Sequence, residues 1–194
     1  MKHEIAATDL LPAAEYARTR SERRRALAAR KKLRRVDVGP HVTFYFENYD
    51  TMWLQVQEML HIEKGGADQI PDELAAYNPL IPQGDELVAT FMIEIDEPIR
   101  RKRVLLGLGG IEDTAFLRVG EATVRGVPEQ DTDRTSAEGK ASSVQFVHFR
   151  FTPEQAAAFR APGAQVVLGL SHPNYNHMAV VPESVRQELA ADLG

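Results

Sequence analysis

Residues 36–63 read VDVGPHVTFYFENYDTMWLQVQEMLHIE and carry two hydrophobic periods back to back. Val42, Phe44 and Phe46 alternate with Thr43, Tyr45 and Glu47, the period of a strand with one buried face. Gly39-Pro40 supplies the turn that separates this strand from what precedes it. Asn48 or Asp50 then caps a helix in which Tyr49, Met52, Trp53, Val56, Met59 and Leu60 recur at i, i+3, i+4, i+7 spacing. Thr51, Gln55, Gln57, Glu58 and His61 fall on its flanks. Gly65-Gly66 stops the helix.

Outward from this unit, a proline-rich connector leaves room for one short helix over residues 71–77. Leu87, Ala89, Phe91, Ile93 and Ile95 alternate with more polar neighbours, as do Val147, Phe149 and Phe151, and again Val166, Leu168 and Leu170. These are strand patterns, and a further strand pair fits residues 115–127. A helix is expected from Asp96-Glu97-Pro98 to Gly109-Gly110, with short helices over residues 153–160 and 182–189, each opened by proline. The polar segment EQDTDRTSAEGKAS, residues 129–142, reads as an exposed hairpin loop. The fold class is therefore α+β, with an antiparallel or mixed sheet, packed helices and an N-terminal arginine-rich helix.

The chain has 194 residues, ordinary globular composition and no cysteine, so it offers no disulfide, thiolate ligand or cysteine nucleophile of its own. No run approaches the ~18 apolar residues of a membrane helix, and MKHEIAATDLLP lacks the apolar centre of a signal peptide. A cytoplasmic protein without membrane insertion is expected. The formal net charge of −5 conceals a division: residues 1–35 carry 11 Lys/Arg against 4 Asp/Glu, and residues 36–194 carry 12 against 24. The chain accordingly divides into a basic arm, 1–35, and a single α+β domain, 36–194.

The arm is expected to be helical as far as Leu33, with Asp9 as cap and Pro12 in the first turn. Its cations, Arg23, Arg24, Arg25, Arg30, Lys31 and Lys32 among them, distribute around the whole cylinder and leave no clean apolar stripe. They can dock on the acidic body of the same chain or of a second copy, or meet an acidic protein partner. Nucleic acid ranks behind both, because the acidic body repels the same polyanion and only Tyr16 is available for stacking.

The block FENYDTMWLQVQEMLHIEK, the preceding RRVDVGPHVTFYFEN, and the later SSVQFVHFRFTPEQ and GLSHPNYNH resemble the bacterial domain-of-unknown-function family three-five-zero-one. The resemblance covers nearly the whole chain, arm included. It implies an accessory place in a redox, iron–sulfur or peroxide-handling system, with a rubrerythrin-like or iron–sulfur protein as the partner, because such proteins are often encoded nearby.

Candidate site residues cluster at the strand-to-helix junction: Glu47, Asn48, Asp50, Thr51, Gln55 and Glu58, with Arg34 and Arg35 as nearby cations. They suit either a ligand site or a capping and hydrogen-bond network in which Glu58 pairs with Arg34 or Arg35. A mononuclear iron, manganese or zinc site could be built from His61, His172 and His177 with Glu47 or Glu58, since Glu58 and His61 share a helical face and imidazole and carboxylate suit those metals. Gly139-Lys140-Ala141-Ser142 lacks the spacing of a phosphate loop, and Gly107-Leu108-Gly109-Gly110 lacks the third glycine of a dinucleotide turn. His148, on a strand face between Phe146 and Arg150, reads as a hydrogen-bonded structural histidine. The functional readings are, in order, partner binding through the arm and junction, a metal-binding protein or metal-dependent enzyme, and nucleic-acid binding.

Overall fold

The computed structural model describes residues 2–129 and 140–194. Along the chain run α1 (Ala13–Lys32), β1 (Arg35–Val38), β2 (Val42–Glu47), α2 (Tyr49–Glu63), α3 (Ile70–Tyr77), β3 (Glu86–Ile93), α4 (Pro98–Leu106), β4 (Ala115–Val119), β5 (Ala122–Pro128), β6 (Val144–Arg150), α5 (Pro153–Arg160), β7 (Val166–His172), β8 (Tyr175–Val180) and α6 (Glu183–Ala190). The strands form one antiparallel sheet in the order β1-β2-β3-β6-β5-β4-β7-β8. It curls into a near-barrel. The hydroxyl of Tyr175 on β8 donates to the Val38 carbonyl at the end of β1 and accepts from the backbone N–H groups of His41 and Val42.

Strand alternation sorts the side chains onto two faces. Phe44, Phe46, Leu87, Phe91, Phe149 and Leu168 point inward and are buried with Leu105, Phe159 and Leu189 from the helices. The outer face of β2, β3 and β6 carries the other set, and Val88 there packs with Met52 and Val56 of α2 and with Ile5, Leu80 and Ile81. Thus α2 lies on the outside of the sheet, and α1 lies on α2.

The α2 helix starts where its sequence dictates. The Asn48 side chain accepts from Thr51 N at 3.0 Å, and the Thr51 hydroxyl accepts from Asn48 N at 2.9 Å, a reciprocal cap that satisfies two otherwise orphaned donors. At the other end Lys64, one residue before the expected glycines, takes the left-handed conformation at φ 58°. Of the predicted stripe Met52 and Val56 are buried and Tyr49, Trp53, Met59 and Leu60 half-buried, while Leu54 and Gln57 are buried as well, because α2 has α1 on one side and the sheet on the other.

Other departures have equally local causes. Arg35–Val38 is a strand, so Gly39-Pro40 turns a β1–β2 hairpin and does not join strand to helix. Pro173 and Asn174 form the tight turn between β7 and a further strand, β8, which the sequence pattern does not predict. Asp9 does not cap α1: it accepts from Ala6 N and Lys2 Nζ around a preceding short helix, and Pro12 is the residue at the N-cap of α1. The helix expected to reach Gly110 ends at Leu106. Most of the expected loop at 129–142 lies outside the described residues, but Ala141 is 1% exposed and belongs to the core.

Candidate binding pocket at the strand-to-helix junction

Glu47 ends β2 on its outer face, and the chain enters α2 two residues later. Its carboxylate accepts from the Thr51 hydroxyl at 2.6 Å and from the Thr90 hydroxyl of β3 at 2.7 Å. The residue is 8% exposed and makes no ion pair among the described residues. Its partners there are neutral hydroxyls, and placing a carboxylate away from a cation in a low-dielectric setting is costly.

This group forms part of the wall of a cavity of about 400 Å³ between α2, the end of α1 and the outer sheet face. Thr51, Thr90 and Arg34 join Glu47 as its buried polar lining. Met52, Leu80, Met92 and Phe146 supply apolar wall, the Phe46 side chain points into the core behind it, and Gln55, Tyr45, Tyr77 and the exposed Lys31 stand nearer solvent. The mixture of concave apolar wall and few polar groups is the usual make-up of a small-molecule site.

Arg34 holds the junction rigid. Only 1% exposed, it donates from Nε to the Phe46 carbonyl and from Nη2 to the Glu47 carbonyl, both at 2.9 Å. The same guanidinium pairs with Asp192 and, at 3.3 Å, with Glu188, so the C-terminal helix is tied to the pocket wall. Burial pushes the Asp192 carboxyl above its ordinary range, against the opposing pull of Arg34.

Of the junction candidates, Glu47, Thr51, Gln55 and Arg34 therefore line one cavity, while Asn48 serves as helix cap. Asp50 is exposed and pairs with Arg30, which also holds Glu188 at 2.6 Å. Arg35 pairs with Asp37 at the surface. Glu58 faces away from the cavity: its oxygens accept from Arg20 at 2.8 and 2.7 Å and from the Tyr16 hydroxyl. The partner is thus Arg20, neither Arg34 nor Arg35. The Arg20 hydrogen bonds hold the Glu58 carboxyl down at about 2, with burial opposing and Tyr16 assisting.

On α1 the residues facing the body are Tyr16, Arg20, Arg23, Leu27 and Arg30, at alternating spacings of four and three. Arg23 lies 5.2 Å from the Trp53 ring centroid. Arg24 reaches Glu58 only at 4.0 Å, and Arg25 and Lys32 are exposed on the far side. The histidines are dispersed. His61 packs edge-on against Tyr16, His177 packs against Tyr175, and His172 meets the Gly109 carbonyl and accepts from Asn174 N. Among the described residues no group of three or more His, Asp and Glu is placed to hold a metal ion.

Residues 4–193 match the family described as Protein of unknown function (DUF3501). The chain belongs to this family. It is similar to a crystal structure of a novel protein of unknown function from Burkholderia pseudomallei K96243, 38% identical, covering 98% of this chain and 99% of that one, with a TM-score of 0.90. No curated protein matches the chain. Among the described residues no helix is long and apolar enough to cross a membrane.

Beyond the pocket, this DUF3501 member carries a second polar cluster on the same outer face. His148, 8% exposed, is held by Glu86 through Nδ1 at 3.0 Å and by Glu129 through Nε2 at 2.8 Å. Burial works against its charged form, but the two glutamates outweigh that and raise its pKa. Burial likewise opposes the charge on Glu86, yet His148 and Arg150 pull its pKa down. A raised histidine contributes stability below its unfolded value of about 6.5 and loses it as pH climbs through the folded pKa. The melting temperature should therefore fall as pH rises from about 6.5, and His148→Gln should flatten that limb. An unchanged slope in the variant would rule out this ion cluster as its source.

Proposed function

We propose that this protein binds a small organic molecule in the cavity between α2 and the outer face of β2 and β3. The observation that carries this reading is Glu47, a buried carboxylate without a cation in the wall of an otherwise largely apolar cavity. A thermal-shift screen of small metabolites tests it, run on the native sequence and on Met92→Trp, in which an indole fills the cavity from a half-buried position. At least one compound should stabilise the native protein and leave the variant unmoved. A screen in which every stabilising compound acts equally on both, or none acts, removes the reading.

A second reading rests on a separate observation, the outer face of α1. Arg18, Arg25 and Lys32 recur there every seven residues, all exposed and without a partner among the described residues, and within α1 only Tyr16 is buried. Such a face suits an acidic protein surface, consistent with an accessory role in the cytoplasm toward a rubrerythrin-like or iron–sulfur protein, as the family resemblance implies. Replacing all three by Glu should leave the melting temperature nearly unchanged, since the side chains are solvated. Recovery of such a protein by affinity capture should be lost with the triple variant. Equal recovery with it would dissociate partner binding from α1.

A further inference from the structure

We infer that the ligand of this cavity is amphoteric: a primary ammonium that meets Glu47, an apolar body of aromatic size, and an anionic group that reaches Lys31. This rests on the cavity being a binding site and adds the ligand's chemistry to it. Glu47, at 8% exposure, has both oxygens already accepting from threonine hydroxyls, so what it still lacks is positive charge and not a hydrogen-bond donor alone. Arg34 does not supply it. Its guanidinium is committed to two backbone carbonyls and to the carboxylates of Asp192 and Glu188.

The next zone is apolar, with Met52, Leu80, Met92 and Phe146 lining the cavity. Its volume of about 400 Å³ lies toward the small end of ligand pockets, which suits one ring and a short chain more than a cofactor. Lys31 stands outermost. It is exposed, and it has no acidic partner among the described residues. A cation at the mouth discourages a ligand that is only a cation and favours one whose outer end is a carboxylate or another anion. An ω-amino acid, in which a ring or short chain separates the ammonium from the carboxylate, has this make-up.

Titration calorimetry with four probes of similar size decides the class: 4-(aminomethyl)benzoate, 2-phenylethylamine, 3-phenylpropionate and 2-phenylethanol. The aminomethylbenzoate should bind tightest and phenylethylamine next, with the propionate and the alcohol weaker by roughly tenfold or more, the scale of a charge-assisted hydrogen bond. Glu47→Gln should erase the preference for the ammonium probes. Lys31→Met, a solvent-side change that leaves the buried network intact, should erase the gap between aminomethylbenzoate and phenylethylamine whether or not the Glu47 variant folds. If the propionate or the alcohol binds as well as the ammonium probes, the ligand class is wrong while the cavity remains a binding site. If none of the four binds saturably, the amphoteric assignment is overturned. The cavity reading falls with it only when the screen against Met92→Trp is also empty.

Discussion

Arg34→Met should cost about 3–5 kcal/mol of folding stability, the range for removing one member of a buried ion pair. For a chain of this length that corresponds to a fall of about 10 °C or more in melting temperature. The side chain is 1% exposed, and methionine keeps its aliphatic stem but ends near the position of Nε, so part of the loss is the space that the guanidinium leaves. What remains is a set of stranded acceptors. The carbonyls of Phe46 and Glu47 lose their donors at the point where β2 hands over to α2. The Asp192 carboxylate, fully buried, loses the cation paired with it. The deficit should shrink at acidic pH, because the carboxyl of Asp192, already raised by burial, rises further without Arg34 and is neutralised there. Urea melts at pH 7 and pH 5 would show this. A deficit that is the same at both values would place the damage at the two carbonyls and the vacated space.

The sequence position of Arg34 explains why its role was not legible. It follows a run of arm cations, and charge spacing alone groups it with them, whereas Arg34 is buried and Arg25 and Lys32 are solvated. What separates them is geometry: residue 34 continues the inward-facing row of α1 just past the helix end. The same charge run hid β1, since Arg35 and Asp37 look like surface residues although Val36 and Val38 between them are buried. The strand β8 escaped notice because it is almost wholly exposed apart from Tyr175, so hydrophobic alternation has nothing to register. By contrast β2 and α2 were plain, each having a buried face and a run of matching residues.

The pocket was half legible for a related reason. Glu47, Thr51 and Gln55 belong to one continuous segment, and local spacing alone brings them together. Thr90, Met92 and Phe146 come from β3 and β6, whose pairing with β2 depends on a strand order that no local pattern encodes. A usable signal did exist in β3: Thr90 and Met92 occupy the alternate face to Leu87, Ala89 and Phe91, so a second layer outside the sheet was implied. The metal candidates failed to converge for the opposite reason. His172 and His177 are near in sequence but lie on successive strands with their own partners, and His61 sits across the molecule on α2.

Tyr175→Phe should cost about 2–3 kcal/mol although it removes a single oxygen, because that oxygen serves three backbone groups at once. The hydroxyl donates to the Val38 carbonyl at 2.8 Å and accepts from His41 N at 2.9 Å and Val42 N at 3.1 Å. Val38 and Val42 are register partners at the neck of the β1–β2 hairpin, and the phenol of β8 occupies the place where they would bond to each other. In this way one side chain both closes the hairpin and draws β8 back to β1. The site is shaped for it. Gly39 adopts φ +70°, and a Cβ there would come within 2.8 Å of the Tyr175 oxygen and 2.6 Å of His177 Cγ. Phenylalanine keeps the ring and its packing, so the loss isolates the hydroxyl, whereas Tyr175→Ala adds a cavity and should cost about 4–5 kcal/mol. Hydrogen exchange offers a local readout: the amides of His41 and Val42 should lose protection in the phenylalanine variant while those of β3 and β6 keep theirs. A phenylalanine variant within about 0.5 kcal/mol of the native protein, with both amides still protected, would mean that Val42 bonds Val38 directly and that the barrel closes without β8.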